Sequence, residues 1–217
     1  MNFTEPDHIQ MLRDTLKKFI KNEMPKSLVS KWDQEDYFPK DVFKKLVDLG
    51  VTSLTVPEEY GGSGIDMVAT IATIEELSSR SIGIASGFIQ CACYAGLNIL
   101  ESGSIEQKNE LLPRVANGKL LFSYGISEPD VGGDVASVST IARLENDEVI
   151  INGSKRWCSG ALIADYIFAL VRSGPADERY RNLSIVLIPP NIKGVTITPQ
   201  NTMGLKGTGG TCDVYFD

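Results

Sequence analysis

Two short blocks hold the residue types that could do chemistry. Tyr124-Gly-Ile-Ser-Glu-Pro-Asp-Val-Gly-Gly-Asp134 leaves an apolar run for a glycine-rich turn, and Ile151-Asn-Gly-Ser-Lys-Arg-Trp-Cys-Ser159 follows it. In a strand, positions i and i+2 point to the same side, so Trp157 and Ser159 would present an indole face and a hydroxyl together. That pair suits a planar ligand. The tripeptide alone reads more simply as a core tryptophan on a strand beside an edge serine. Gly132 and Gly133 make a tight turn and also let backbone approach a ligand closely.

Other chemistries are poorly supplied. His8 is the only histidine, so a histidine-rich metal site is excluded and Ser-His-Asp or Cys-His catalysis is disfavoured. Cys91, Cys93, Cys158 and Cys212 lack C-x-x-C spacing and are too sparse for a disulfide framework, which points to reduced thiols and a cytoplasmic protein. The 217 residues carry a formal charge of −7, and both parts are acidic when the chain is split after Leu120. The basic footprint of nucleic-acid binding is therefore missing. The N-terminus MNFTEPDHIQ has neither the basic nor the apolar region of a secretory signal.

These blocks have to be positioned by the elements around them, and the hydrophobic period changes along the chain. Thr4, as N-cap, precedes Ile9, Leu12, Leu16, Phe19 and Ile20 at helical spacing up to Met24-Pro25. Pro39 opens a second helix at its first position, with Val42, Phe43, Leu46, Val47 and Leu49 inward and Gly50 as its stop. Residues 51–56 read as extended. A third helix carries Met67, Val68, Ile71, Ile74 and Leu77. Residues 81–100 then run without a charge, the length of a membrane span, but their Ser, Gln, Asn and small residues favour a buried central helix. Ser104-Ile-Glu-Gln107 has the form of a capping box for a last helix closed by Asn117-Gly118.

From Leu120 onward, short runs rich in Val, Ile and Tyr at 121–127, 139–144, 149–151, 155–158, 166–171, 183–188 and 195–198 read as strands. Asn152-Gly153 is the expected hairpin turn. The pattern predicts an α+β chain: an all-α helical bundle over 1–119 followed by an all-β, barrel-like domain over 120–217. Neither a G-x-G-x-x-G following a strand nor a P-loop is present. The clusters Gly61-Gly62-Ser63-Gly64 and Gly207-Thr-Gly-Gly210 read as turns that could also cradle phosphate.

At the two chemical blocks the sequence resembles the acyl-CoA dehydrogenase family. The loop Pro57-Glu-Glu-Tyr-Gly-Gly62, then Gln107-Lys108 with Leu112-Pro113 and Gly118, then Gly204-Leu-Lys-Gly with Cys212-Asp213, support the match in family order. The resemblance implies FAD as cofactor. It places Tyr124, Ile126 and Ser127 on the flavin, with the Ser127 hydroxyl at the N1/O2 edge. Trp157 packs on the ring, Ser159 bonds near N5, and Gly132 and Gly133 approach the pyrophosphate. The helix at 81–100 would form part of the acyl pocket wall, with Gly87, Gln90, Cys91 and Tyr94 as liners. Gly133 also falls where the family meets substrate phosphate.

The implied reaction is α,β-dehydrogenation of an acyl-CoA, with a proton leaving Cα and hydride passing from Cβ to flavin N5. An electron-transfer flavoprotein would accept the electrons, and the full-length protein would be a homo-oligomer in fatty acid metabolism. The family base is a glutamate of a C-terminal four-helix domain, expected beyond Asp217, so no catalytic residue is assigned here. Glu58, Glu59, Glu75, Glu76 and Glu128 read as loop or helix-surface charges. The family pattern E-P-G-A-G-S-D is altered at Asp130, Val131 and Gly133. These changes motivate one alternative, a dehydrogenase, oxidase or flavin monooxygenase of the same fold, the first two acting on carrier-protein thioesters; the domain expected beyond Asp217 motivates another, a non-catalytic fragment that binds little or no cofactor by itself.

Overall fold

The computed structural model describes residues 4–204 and 206–217. Leu205, within the Gly204-Leu-Lys-Gly block, lies outside the described residues. The chain divides into two compact units, one of Met1–Leu121 with Gly204–Thr208 and one of Phe122–Met203 with Gly209–Asp217.

The first unit is helical. Helix α1 spans Asp7–Glu23, with Pro6 rather than Thr4 at its N-cap. Helix α2, Lys26–Gln34, follows directly and has no counterpart among the expected helices. Pro25 supplies its N-cap, and its one buried side chain is Trp32, so its nine residues carry little apolar periodicity. Pro39 is the N-cap of α3, Lys40–Val47, one position outside the expected place. Gly50, at φ +80°, ends that segment in the left-handed conformation. Residues expected to be extended form a 3₁₀ turn over Val51–Leu54, followed by the short strands β1, Thr55–Val56, and β2, Gly64–Ile65.

Helix α4, Met67–Ser78, starts at Asp66, whose side chain accepts the Ala69 N–H. Its large apolar residues Met67, Val68 and Ile71 face outward, while Ala69, Thr70, Ala72, Thr73 and Leu77 are buried. The small residues let α1 approach closely, and Ile9 packs on Ala69 and Ala72. At the surface Arg13 joins α1 to α4 through Glu75 (2.6 Å) and Glu76 (3.0 Å).

The uncharged stretch is one helical rod in three parts: α5 over Ile82–Phe88, a π-helical segment over Ile89–Leu97, and α6 over Asn98–Ser102. Its length and composition would allow it to cross a membrane, but 56% of its most apolar window is buried within the protein. The π turns have identifiable partners. Thr55 Oγ1 donates to the Ala92 carbonyl at 2.8 Å, and Asn98 Nδ2 donates to the Tyr94 carbonyl at 2.8 Å. Helix α7, Ile105–Ala116, begins with the expected capping box between Ser104 and Gln107.

The second unit is a seven-stranded curled sheet: β3 Phe122–Gly125, β4 Ile141–Glu145, β5 Glu148–Ser159, β6 Tyr166–Arg172, β7 Leu183–Ile188, β8 Val195–Gln200 and β9 Thr211–Phe216. Strand β6 has β7 antiparallel on one edge. On the other it pairs with β3 in parallel and, at Arg172, with β4. The order continues from β4 through β5 and β9 to β8. One face buries Ala142, Cys158, Ile167, Ala169, Val171, Ile188, Cys212, Val214 and Phe216.

The hairpin reverses at Asn146-Asp147, with φ of 50° and 63°, and not at Asn152-Gly153. Two successive left-handed residues match the twist of the flanking strands, and Asn and Asp tolerate that conformation. Asn152-Gly153 instead lies inside β5, where the pairing partner changes from β4 to β9. Gly153 has φ +144°, and a Cβ there would fall 2.6 Å from Thr140 Oγ1 and 2.7 Å from its Cα. Gly153→Ala is expected to cost about 2–4 kcal/mol by combining strain with a backbone clash, read from the urea midpoint at constant m.

Candidate functional site

The site is organised by β5, whose middle sends a charged side chain to each face. Lys155 pairs with Val214 and Cys158 with Cys212, so both point into the core. Between them two residues, Arg156 and Trp157, oppose the single Asp213, which makes a β-bulge. Trp157 adopts φ +62°, outside the extended region, and its side chain is 54% exposed. The two-residue bulge keeps Trp157 and Ser159 on one side of the sheet, as simple alternation also predicts. Arg156 joins them: its guanidinium lies 4.7 Å from the indole centroid and its Nε 3.7 Å from Asp213 Oδ1. Gln200 Nε2 holds the other Asp213 oxygen at 2.8 Å. Ser159 Oγ lies 3.3 Å from Thr211 Oγ1, and its carbonyl accepts from Ser123 Oγ.

Lys155 is fully buried, and its Nζ donates to Glu128 Oε1 at 2.8 Å and to the Ile126 carbonyl at 3.3 Å. Glu128, read from sequence as a loop charge, is 5% exposed. Its carboxylate also accepts from the Ser139 N–H and hydroxyl and from the Thr140 N–H. Burial pushes the Glu128 carboxyl up, but bonds from Lys155, Ser139 and Thr140 outweigh it and hold the group at about 2. Burial lowers the Lys155 ammonium from its ordinary value, an effect that Glu128 opposes. Gly125 makes the pair possible, since a Cβ there would lie 3.3 Å from Lys155 Cγ and 3.0 Å from Ile167 Cγ2.

The remaining expected site residues are distributed as follows. Tyr124 stacks on Phe168 at 5.0 Å, so its ring belongs to the sheet surface. The Ser127 carbonyl accepts the Arg156 N–H at 2.9 Å; among the described residues its own N–H and hydroxyl have no protein partner. Gly132 and Gly133 are exposed, and a Cβ at either would meet nothing within 4 Å. No group in this unit requires glycine there, and the space beside them is open to a ligand.

In the helical unit Gln90 and Cys91 are buried, while Tyr94 keeps part of its surface accessible. Cys91 Sγ donates to the Val115 carbonyl at 3.5 Å, and Gln90 Nε2 to Ser86 Oγ at 3.2 Å. Gly87 is enclosed by Phe38 and Phe43. A cavity of about 390 Å³ is lined by Lys26, Trp32, Arg80, Ser81, Gly83 and Gly207, and by none of these acyl-wall candidates. Glu75 and Glu76 bind Arg13, which leaves them structural. Among the described residues no cluster of His, Cys, Asp and Glu is placed to hold a metal ion.

Sequence reasoning missed Lys155, Glu128, Arg156 and Asp213 as members of the site. The sequence carried little signal, because Lys155 sits in the polar run Asn152-Gly-Ser-Lys-Arg156 and only its burial reveals the need for a carboxylate partner. The bulge that aligns Arg156 with Asp213 has no local signature.

The Glu128 contribution to stability is complete above its ordinary value of 4.5 and is lost as pH falls toward about 2. Glu128→Gln should flatten that part of the acid-unfolding curve, measured by circular dichroism from pH 6 downward. Lys155→Met leaves a buried carboxylate without its counter-ion and should cost about 3–5 kcal/mol at neutral pH.

Comparison with known proteins places this arrangement. Residues 6–119 match the description "Acyl-CoA dehydrogenase, N-terminal domain", and residues 123–217 match "Acyl-CoA dehydrogenase, middle domain". A probable acyl-CoA dehydrogenase of Bacillus subtilis, YngJ, is 32% identical across all of this chain, which covers 57% of that protein. The glutaryl-coenzyme A dehydrogenase glutaryl-CoA complex superposes with a TM-score of 0.91 at 28% identity, over 100% of this chain and 55% of its own. An acyl-CoA dehydrogenase complexed with FAD from Bacillus anthracis gives 0.84 at 27% identity, over 98% of this chain and 36% of its own. The chain thus spans roughly half the length of most of the relatives it matches. With both of its units matched in order, it belongs to the acyl-CoA dehydrogenase family.

Proposed function

We propose that the β unit binds FAD and that the whole protein carries out α,β-dehydrogenation of an acyl-CoA thioester. The observation that carries the reading is the set of free groups on one strand and its neighbouring turn. Trp157 offers a half-exposed indole, Ser127 an N–H and a hydroxyl without a protein partner among the described residues, and Gly132-Gly133 an open backbone. A planar, electron-rich and phosphate-bearing cofactor fits that set. FAD, when bound, would supply the hydride acceptor.

The protein residues then have separable tasks. Trp157 packs on the ring, and the bulge with Arg156 behind the indole holds it in place. The Ser127 N–H and hydroxyl donate to the edge where negative charge accumulates on reduction. Ser159 donates near the hydride-accepting atom while Thr211 fixes its rotamer. Backbone of Tyr124 and Ile126 borders the ring, and Gly132 and Gly133 take the pyrophosphate, with Gly133 also next to substrate phosphate. The acyl wall is assigned to Gln90, Cys91 and Tyr94. Tyr94 contributes surface, and the other two shape the wall from behind. The base that takes the α proton is left to residues outside this stretch.

An electron-transfer flavoprotein as acceptor, a homo-oligomeric assembly and a cytoplasmic setting complete the proposal. The last is supported by four free cysteines. Burial pushes Cys158 up to about 12 and Cys212 to about 11, so these two thiols are unreactive core groups.

Titration of the chain with FAD tests the reading. Fluorescence quenching and a bound-flavin visible spectrum are expected, and Trp157→Ala should weaken binding about tenfold, the worth of one good aromatic contact. A full-length protein that leaves flavin free at saturating concentration refutes the cofactor assignment, whereas these 217 residues alone doing so supports the non-catalytic fragment. Assay of the full-length protein on acyl-CoA and on acyl-carrier thioesters, with and without the flavoprotein acceptor, separates the dehydrogenase from the carrier-dependent alternative. Rapid turnover of acyl-CoA with that acceptor is expected.

A further inference from the structure

We infer that Lys155 and Glu128 are positioning residues: the ammonium anchors the Ile126 carbonyl, which holds the Ser127 N–H as an outward donor for the flavin's electron-rich edge. The part that concerns flavin rests on the function proposed above; the part that concerns the peptide stands by itself.

In a planar trans peptide the C=O of one residue and the N–H of the next point in opposite directions. Lys155 Nζ holds the Ile126 carbonyl at 3.3 Å from inside the sheet. The N–H of the same peptide, on Ser127, is therefore directed away from the buried pair. The following peptides are tied down differently. The Ser127 carbonyl takes the Arg156 N–H at 2.9 Å, and the Glu128 N–H goes to the Val131 carbonyl at 2.9 Å. Among the described residues the Ser127 N–H has no protein acceptor, and its direction is the one the ammonium sets.

The chemistry of the pair supports a directing role. A buried ion pair is commonly replaceable by apolar side chains of similar volume without loss of stability, so packing alone does not call for charge here. What an apolar side chain could not do is donate to the Ile126 carbonyl. Glu128 in turn fixes the ammonium, and its bonds to Ser139 and Thr140 fix Glu128.

The test separates positioning from stability. The double variant Lys155→Met/Glu128→Gln removes both charges and keeps one of the two carboxylate oxygens as an acceptor for either the Ser139 or the Thr140 donor. It is expected to unfold at a urea midpoint near that of the wild type, to bind FAD at least tenfold more weakly, and to shift the bound-flavin absorption band. Wild-type affinity with an unchanged spectrum would overturn the inference. Glu128→Gln alone keeps a lysine donor for the Ile126 carbonyl, held by the amide oxygen in place of the carboxylate, and should lose clearly less affinity than the double variant; a loss as large as that of the double variant also overturns it.

A second readout needs no flavin. In ¹⁵N–¹H spectra of the cofactor-free chain, the Ser127 amide should exchange rapidly in the wild type and change its shift in the double variant, and less so in Glu128→Gln. Unchanged Ile126 and Ser127 resonances in the double variant are decisive against the anchor. If the full-length wild type binds no FAD, the functional reading fails while the amide result still decides the positioning claim.

Discussion

Removing a lysine and a glutamate from water together is expensive, and the arrangement holds only when nearly every donor and acceptor they carry finds a partner. Glu128 meets that condition with four donors from two segments of chain, and Lys155 spends a second bond on the Ile126 carbonyl. The charges therefore do more than neutralise each other. They join the turn after β3, the residues leading into β4 and the middle of β5 at a single point. Gly125 leaves room for the lysine stem, and shortening any one of these segments would leave a buried polar group unsatisfied.

The opposite face of the sheet inherits its geometry from that joint. Because Lys155 and Cys158 both point inward, the two residues between them must share the outer side, and the strand accommodates them by bulging opposite Asp213. Trp157 pays for its exposure with a left-handed backbone, a strain of about 1–3 kcal/mol that persists only where the surroundings fix it. Here they do so through Arg156, which lies on the indole and next to Asp213. The outward group is thus a tryptophan whose free face is held by contacts on its other one.

Much of this was legible from sequence, for a physical reason in each case. The change of period near Leu120, the capping box at Ser104 and the central uncharged helix are local signals, and local signals survive folding. The two chemical blocks were legible as motifs. Other features depend on partners distant in sequence. Helix α2 has one buried residue and so no periodic stripe, and the outward Met67, Val68 and Ile71 reversed the expected face of α4 because small residues fit closer to α1. Asn152-Gly153 has the composition of a hairpin turn, but with Asn146-Asp147 available to reverse the chain, Gly153 was needed where Thr140 crowds β5. Glu128 looked like a loop charge because its counter-ion is contributed by another strand.

Electrostatics adds a constraint that neither the motif nor the fold states alone. The chain carries a net charge of −7, and its glycine arm is bordered by Asp130 and Asp134, an unfavourable setting for a phosphate-bearing ligand. Asp134 is partly neutralised. Ser137 and the Arg179 guanidinium both bond to its carboxylate and keep it below its usual range, and Arg179 itself comes from the segment between β6 and β7. Asp130 remains exposed. An anion arriving at Gly132-Gly133 would thus meet backbone N–H groups and one unneutralised carboxylate. On the function proposed above, affinity there would come chiefly from directed hydrogen bonds and from ring stacking on Trp157, because the net charge of this chain does not attract an anion. A rigid cradle is what such binding requires, and the buried pair beneath it provides the rigidity.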